Sequence, residues 1–150
     1  MINRVCIFDL DGTLSLCEHR LKYIKGENKD WNTFFKECIN DDVNEPVADL
    51  LRILWYDYLI VIISGRSEDV KSETETWLKK YDIPYTNLFM RPHNNFTPDD
   101  ILKQKLMLKA QKELNFEKDD VLCIFEDRSK VVKMWRDLGY TCFQVREGDY

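Results

Sequence analysis

No run of apolar residues in this chain approaches the roughly 18 needed to cross a bilayer, which excludes a membrane-spanning helix. Positive charge is not in excess either. The formal net charge is −5, so the chain has no overall attraction to nucleic acid or to an anionic membrane. A few arginines in one cleft can still hold phosphate against that background. No Cys-x-x-Cys pair occurs, and the five cysteines (Cys6, Cys17, Cys38, Cys123 and Cys142) are odd in number. Disulfide-scaffold and zinc readings are therefore weak. Cys6, Cys123 and Cys142 stand in apolar runs, where a reduced thiol behaves as a small hydrophobe, and a reducing, cytoplasmic compartment is expected. The N-terminal stretch enters a strand-like run and then meets acids, which is too short for a signal peptide. Linkers rich in glycine and serine, repeats and low-complexity tracts are all lacking. What is present is 150 residues, 44% hydrophobic and 13% aromatic, enough for one domain with a proper core.

Short apolar runs alternate with helical patterns, the rhythm of a parallel α/β sheet. Strands are expected at Arg4–Phe8, Leu59–Ile63, Asn87–Met90, Val121–Phe125 and Cys142–Val145. Most are continuously apolar, as required when helices cover both faces of the sheet. One helix is expected from Pro46, with Val47, Leu50, Leu51 and Leu54 on its inner face. A second runs from about Glu68 to Tyr81. A third starts at Pro98-Asp99-Asp100 and reaches about Leu114. A fourth is capped by Ser129 and ended by Gly139. Residues 15–44 break this rhythm and read as a small insertion after the first strand, placed to form a cap or lid. Its aromatics Tyr23, Trp31, Phe34 and Phe35 either pack together as the insertion's own core or stack on a base.

Four motifs carry chemistry, each at the carboxyl end of an expected strand or the start of the next helix, where a parallel sheet gathers ligand-binding groups at one edge. Asp9-Leu10-Asp11-Gly12-Thr13 follows the first strand. One acid is placed to attack phosphorus or bind metal, and the other to reach the leaving oxygen. Gly12 permits the turn, and Thr13 offers a hydroxyl to a phosphoryl oxygen or a cap. Alone, an Asp-Gly pair is as well read as a solvated turn. Ser64-Gly65-Arg66 offers a hydroxyl, backbone N–H groups and a guanidinium to phosphate. Lys103, one turn into the third helix, can neutralise charge in the same pocket, with Lys105 and Lys109 as alternatives. Glu126-Asp127-Arg128 supplies hard oxygen ligands of the kind Mg²⁺ takes.

Taken together, the stretches FDLDGTL, ISGR, the helix lysine and FEDR resemble the four motifs of the haloacid dehalogenase (HAD) superfamily of phosphohydrolases, across the whole chain. The spacing more closely resembles the 3′-phosphatase domain of bacteriophage-type polynucleotide kinases. Arg20 lies eleven residues after Asp9, Arg91 eight before Asp99, and Asp99 four before Lys103. The ending Gly148-Asp149-Tyr150 is similar too. Where that family opens its fourth motif with Asp-Asp, this chain has Glu126-Asp127.

The resemblance implies an α/β, Rossmann-like parallel sheet with helices on both faces and a small cap over residues 15–44. It also implies a Mg²⁺-dependent phosphatase that passes through an aspartyl-phosphate. In that reading Asp9 is the nucleophile and Asp11 the acid and base. Asp9, Asp127, Glu126 and the Asp11 backbone carbonyl hold the metal. Thr13, Arg20, Ser64, Gly65, Arg66, Arg91, Lys103 and Arg128 bind substrate or brace the acids, and Asp99 supports the arginines. The expected substrate is a nucleotide or a 3′-phosphorylated nucleic acid end, met in the host cytoplasm if the chain is phage-encoded. A 5′-nucleotidase, another small-metabolite phosphatase and a non-catalytic phosphate-binding module are the alternatives. No GxxxxGK[ST] kinase loop occurs, so a stand-alone phosphatase, or one whose kinase partner is a separate protein, is expected.

Overall fold

Five parallel strands, β1 (Val5–Phe8), β4 (Leu59–Ser67), β5 (Asn87–Arg91), β6 (Val121–Arg128) and β7 (Cys142–Gly148), form one sheet in the order β5-β4-β1-β6-β7. The computed structural model describes residues 4–149, so Tyr150 of the family-like ending lies outside the described residues. Both faces are covered, and the period-two alternation of a strand decides which residues go where. Cys6, Phe8, Ile60 and Ile62 face one core, closed by α2 (Glu45–Leu54) and α3 (Lys71–Lys80). Val5, Ile7, Val61 and Ile63 face the other, closed by α4 (Asp99–Leu114) and α5 (Ser129–Asp137). All five cysteines are buried, as apolar packing residues should be. No helix among the described residues is long and apolar enough to cross a membrane.

The expected strands are all present, but β4, β6 and β7 run further than their apolar stretches. β4 continues through Ser64-Gly65-Arg66 to Ser67, and β6 through Glu126-Asp127 to Arg128. Both polar extensions coincide with breaks in strand register, between Ile63 and Ser67 and between Glu126 and Arg128. Such irregularities re-aim side chains at a sheet edge.

The helices also depart in detail from the sequence pattern. In α2 the buried residues are Ala48 and Leu51, while Leu50 is exposed and is not on the inner face. The second helix begins as a 3₁₀ turn at Glu68–Val70. Ser129 does not cap α5: Arg128 occupies that position, and the Ser129 hydroxyl instead accepts from Gln144 Nε2 (3.0 Å). Gly139, with φ of +89°, ends the helix as expected, because an L side chain would be strained there.

Residues 15–44 have more structure than their irregular pattern suggests. An antiparallel pair, β2 (Ser15–Leu16) and β3 (Asp42–Val43), closes the base of the insertion. Between them lie a 3₁₀ turn (Glu18–Tyr23), the short helix α1 (Trp31–Lys36) and a second 3₁₀ turn (Glu37–Asn40). Phe34 is buried, and Trp31, Phe34 and Phe35 contact one another with ring centroids 5.4–5.9 Å apart. The insertion is pinned to the sheet's helical layer by Trp77 of α3, whose Nε1 donates to the Asp41 carbonyl (2.8 Å). Trp77→Ala should lower the unfolding free energy by about 3–5 kcal/mol. Trp77→Phe, which keeps the ring, should cost about 1–3 kcal/mol for the lost donor. Urea denaturation of both variants checks the pair.

Candidate active site

The site begins with the turn after β1. The Leu10 carbonyl accepts from the N–H groups of Thr13, Leu14 and Ser15 (2.9–3.0 Å), and Gly12 takes a φ of +82° that favours glycine. This tight loop leaves Asp9 and Asp11 facing different partners. Asp9 is buried. Its Oδ1 accepts from Lys103 Nζ (2.9 Å) and its Oδ2 from the Thr13 hydroxyl (3.0 Å). Lys103 drops from the first turn of α4, is buried itself, and also donates to Glu126 Oε2 (2.7 Å). The alternatives Lys105 and Lys109 are exposed and play no such part.

Burial pushes the Asp9 carboxyl well above its ordinary range; the neighbouring Glu126 adds to the effect, and Lys103 opposes it. Glu126 is raised for the same reason, chiefly burial. Burial alone works against the Lys103 ammonium. The carboxylates of Asp9, Glu126 and Asp99 outweigh it and hold this lysine charged, well above its ordinary value.

Carboxylate oxygens of Asp9, Glu126 and Asp127 lie within 4.8 Å of one another, all buried. They are hard oxygen donors, and three acids against one ammonium leave an excess of buried negative charge. That donor set fits a divalent cation such as Mg²⁺. Glu126, expected as the secondary ligand to Asp127, is also engaged within the protein: besides Lys103, its Oε1 accepts from the N–H groups of Asp127 (3.2 Å) and Arg128 (3.3 Å). The Asp11 side chain lies outside this cluster, so a place for Asp11 among the metal ligands falls to its backbone carbonyl alone.

Asp11 instead faces two buried arginines. Arg20 Nη2 and Arg66 Nη2 each donate to Asp11 Oδ1 (2.5 Å). Burial raises the affinity of Asp11 for a proton, but the two guanidinium groups outweigh it and hold the carboxyl well below the usual range. Arg66 also donates to Thr74 Oγ1 (3.0 Å), and Arg20 to the Phe34 carbonyl (3.0 Å), with its guanidinium 4.6 Å from the Phe34 ring centroid.

Several residues read from sequence as binding substrate or bracing the acids hold contacts within the protein. Thr13 orients Asp9. Arg20 and Arg66 are fully buried braces of Asp11, not arms reaching into solvent. Arg91 spends its guanidinium on the carbonyls of Gly65 (2.8 Å), Asn95 (3.2 Å) and Thr97 (2.6 Å) and on Asp99 Oδ1 (3.1 Å). Gly65 gives clearance: a Cβ there would stand 2.0 Å from Asp99 Oδ1. Asp99 has the supporting role expected of it, with Oδ2 3.4 Å from Arg128 Nη1 and 3.7 Å from Lys103 Nζ. Ser64 is buried two positions past Ile62, the register partner of Phe8, beside the Asp9 turn; its Oγ accepts from Arg66 N (3.0 Å). Phe34 lies under Arg20 and is not placed to stack on a base.

The sequence reading missed Asp41. It is buried, takes Arg20 in a two-pronged pair (2.7 and 2.6 Å), accepts from His19 (2.7 Å) and lies 3.6 Å from Arg66. In the string Asn40-Asp41-Asp42 it looks like a solvated turn. Nothing in the sequence marked it: that Arg20 is buried, with more donors than Asp11 alone can use, is visible only in the structure. Gln144 was also missed; its Nε2 donates to the Asp127 carbonyl (2.9 Å).

A parallel sheet with helices on both faces, a buried Asp–Lys pair at its carboxyl edge and a three-carboxylate cluster beside it define a phosphatase of the haloacid dehalogenase type. Solved structures support the fold: a phosphatase-described structure from Clostridium difficile aligns at TM-score 0.70 and 14% identity, over 96% of this chain and 85% of that one. Residues 3–150 match the family described as the polynucleotide kinase PNKP phosphatase domain, and the chain belongs to that family. It is 34% identical over 146 residues to a protein of Autographa californica nuclear polyhedrosis virus described as a bifunctional polynucleotide kinase/RNA ligase, covering 95% of this chain and 19% of the viral one. A chain of the Pnkp1/Rnl/Hen1 RNA repair complex aligns at TM-score 0.83 and 34% identity, over 99% of this chain and 44% of that one. The chain thus spans less than half the length of each of these two 34%-identical relatives.

Asp41→Ala should leave Arg20 with too little counter-charge, lowering stability by about 3–5 kcal/mol and kcat at least tenfold. Circular dichroism melts and phosphate-release assays check both. Acid provides a second test. Asp11 and Asp99 are held below the ordinary 3.8, so their stabilisation is full above that value and is lost as pH falls through their lower folded values. Asp9 and Glu126, which are raised, act in the opposite sense. Asp11→Asn should therefore flatten the fall in denaturation free energy below about pH 4.

Proposed function

We propose that the chain removes the phosphate from a polynucleotide 3′ end, in a Mg²⁺-dependent hydrolysis that passes through a phosphorylated Asp9. The observation that carries this reading is Asp9 itself: a buried carboxylate, oriented by Thr13 and Lys103, beside Glu126 and Asp127 at the carboxyl edge of the sheet.

In the first step an Asp9 oxygen attacks phosphorus while the bond to the 3′ oxygen breaks, and Asp11 delivers the proton that the leaving oxygen needs. In the second, water attacks the same phosphorus, Asp11 takes its proton, and the Asp9–phosphorus bond breaks. As found, Asp11 is a carboxylate held by Arg20 and Arg66, which suits the second, proton-accepting half. An anionic phosphate entering beside it would raise its proton affinity for the first half. Lys103 and Ser64 border the place where the phosphoryl oxygens gather charge. A bound Mg²⁺, held by Asp9, Glu126 and Asp127, would supply charge neutralisation between the anionic nucleophile and the anionic substrate. Residues 15–44 serve in this reading as the cap, and they deliver Arg20 and Asp41 to the acid. The relatives described as kinase/ligase and as members of an RNA repair complex support a setting in nucleic acid end repair, beside kinase or ligase modules.

Asp9→Asn should abolish turnover, by at least 10³-fold, with the fold intact by circular dichroism. Excess EDTA should do the same and added Mg²⁺ should restore activity. A phosphate-release panel of 3′- and 5′-mononucleotides and 3′- and 5′-phosphorylated oligonucleotides should favour the 3′-phosphorylated oligonucleotide. Preference for a 5′-mononucleotide would make the chain a 5′-nucleotidase, and full activity in EDTA would remove the metal.

A further inference from the structure

Phe96 is 85% exposed, yet the loop that carries it is firmly held. The carbonyls on either side of it, those of Asn95 and Thr97, both accept from Arg91 Nη1. Asn95 Oδ1 accepts from Thr97 N (3.0 Å), and Asn95 N donates to the Pro92 carbonyl (3.2 Å). Further back, His93 N donates to Glu68 Oε1 (3.1 Å). The same Arg91 reaches Asp99, which pairs with Arg128 and Lys103, and Lys103 holds Asp9. The loop therefore joins the carboxyl end of β5 to the start of α4 at the catalytic edge. A chain of polar contacts couples its backbone to the nucleophile. Trp55 and Tyr56, which are also exposed, sit where α2 leads into β4, at the opposite end of the sheet.

The ring stands between two polar residues, Asn95 and Thr97, whose carbonyls Arg91 holds. It makes a rigid, sequence-tolerant platform, because every nucleobase offers a π face. We propose that Phe96 stacks on a base of the substrate strand and holds the 3′-phosphorylated end over Asp9, with the one-third-exposed Arg128 beside the strand's phosphates. This rests on the polynucleotide reading above and names what that reading leaves open: a positioning contact to the base itself. Arg91 fixes the platform, so binding need not order the loop.

The test compares two short oligonucleotides that differ only in whether the 3′-phosphorylated terminal and penultimate residues carry bases or are abasic, with an aryl phosphate as the third substrate. Phe96→Ala should raise KM for the base-bearing oligonucleotide by about 5- to 30-fold. kcat should stay within about twofold, and both parameters should be unchanged for the abasic strand and the aryl phosphate. Phe96→Trp should retain the native KM. An unchanged KM for Phe96→Ala on a base-bearing strand that the native enzyme hydrolyses well overturns the stacking contact and leaves the polynucleotide reading standing. Equal losses on all three substrates also overturn it, by showing that the ring only supports the loop. A native enzyme that turns over aryl phosphate but no oligonucleotide overturns both.

Discussion

The buried ammonium of Lys103 is the interaction on which the site depends. It is held by two nearly inaccessible carboxylates, Asp9 and Glu126, at 2.9 and 2.7 Å, with Asp99 one contact further out. Desolvating any one of these ions costs several kcal/mol, so none is tolerable alone. Together they are tolerable because the fold converges on them. β1 and β6 are hydrogen-bonded neighbours, so Asp9 and Glu126 arrive side by side, and α4 crosses the same edge with Lys103 in its first turn. The arrangement holds the Asp9 carboxyl in a dry setting in which Lys103 only partly offsets burial and Glu126, with Asp127 beside them.

A second charge cluster stands beside the first and works differently. Asp11 is flanked by Arg20 and Arg66, and Asp41 closes the far side of Arg20. Two acids and two arginines balance, which is why the proton affinity of Asp11 falls, while burial and the neighbouring Glu126 raise that of Asp9. The two acids of one motif, separated by a single residue, are thereby given opposite proton affinities by their surroundings.

Much of this was legible in the sequence. The apolar strand cores announced the parallel sheet, and the acids, Ser64 and Lys103 at strand tips and a helix start announced a common edge. The side-chain directions were not legible. Thr13, Arg20, Arg66 and Arg91 are polar residues near a phosphate motif, and spacing alone does not say whether such a group faces substrate or protein. Their burial does. Asp41 escaped because its partners lie 21 and 25 positions away in sequence, at Arg20 and Arg66, inside and beyond an insertion without periodicity. The extensions of β4 and β6 escaped because polar residues at register breaks read as loop. Leu50 and Ser129 show the smaller error of assigning a face or a cap from type alone.

The insertion that carries Arg20 and Asp41 is small, and it is tied to the rest of the chain by the two-residue ladder of β2 and β3, Trp77 on the Asp41 carbonyl, the Arg20–Asp11 and Arg66–Asp41 pairs, buried Cys38, and the Glu18–Arg146 ion pair to β7. Short ladders and surface ion pairs open at lower free energy than a sheet core. Each opening would withdraw Arg20 from Asp11 and leave Arg66 with the acid, while Asp9, Lys103 and Glu126 remain in register on the sheet. In the mechanism proposed above, the competent part of the native ensemble is then the fraction in which residues 15–44 are closed and Arg20 holds Asp11.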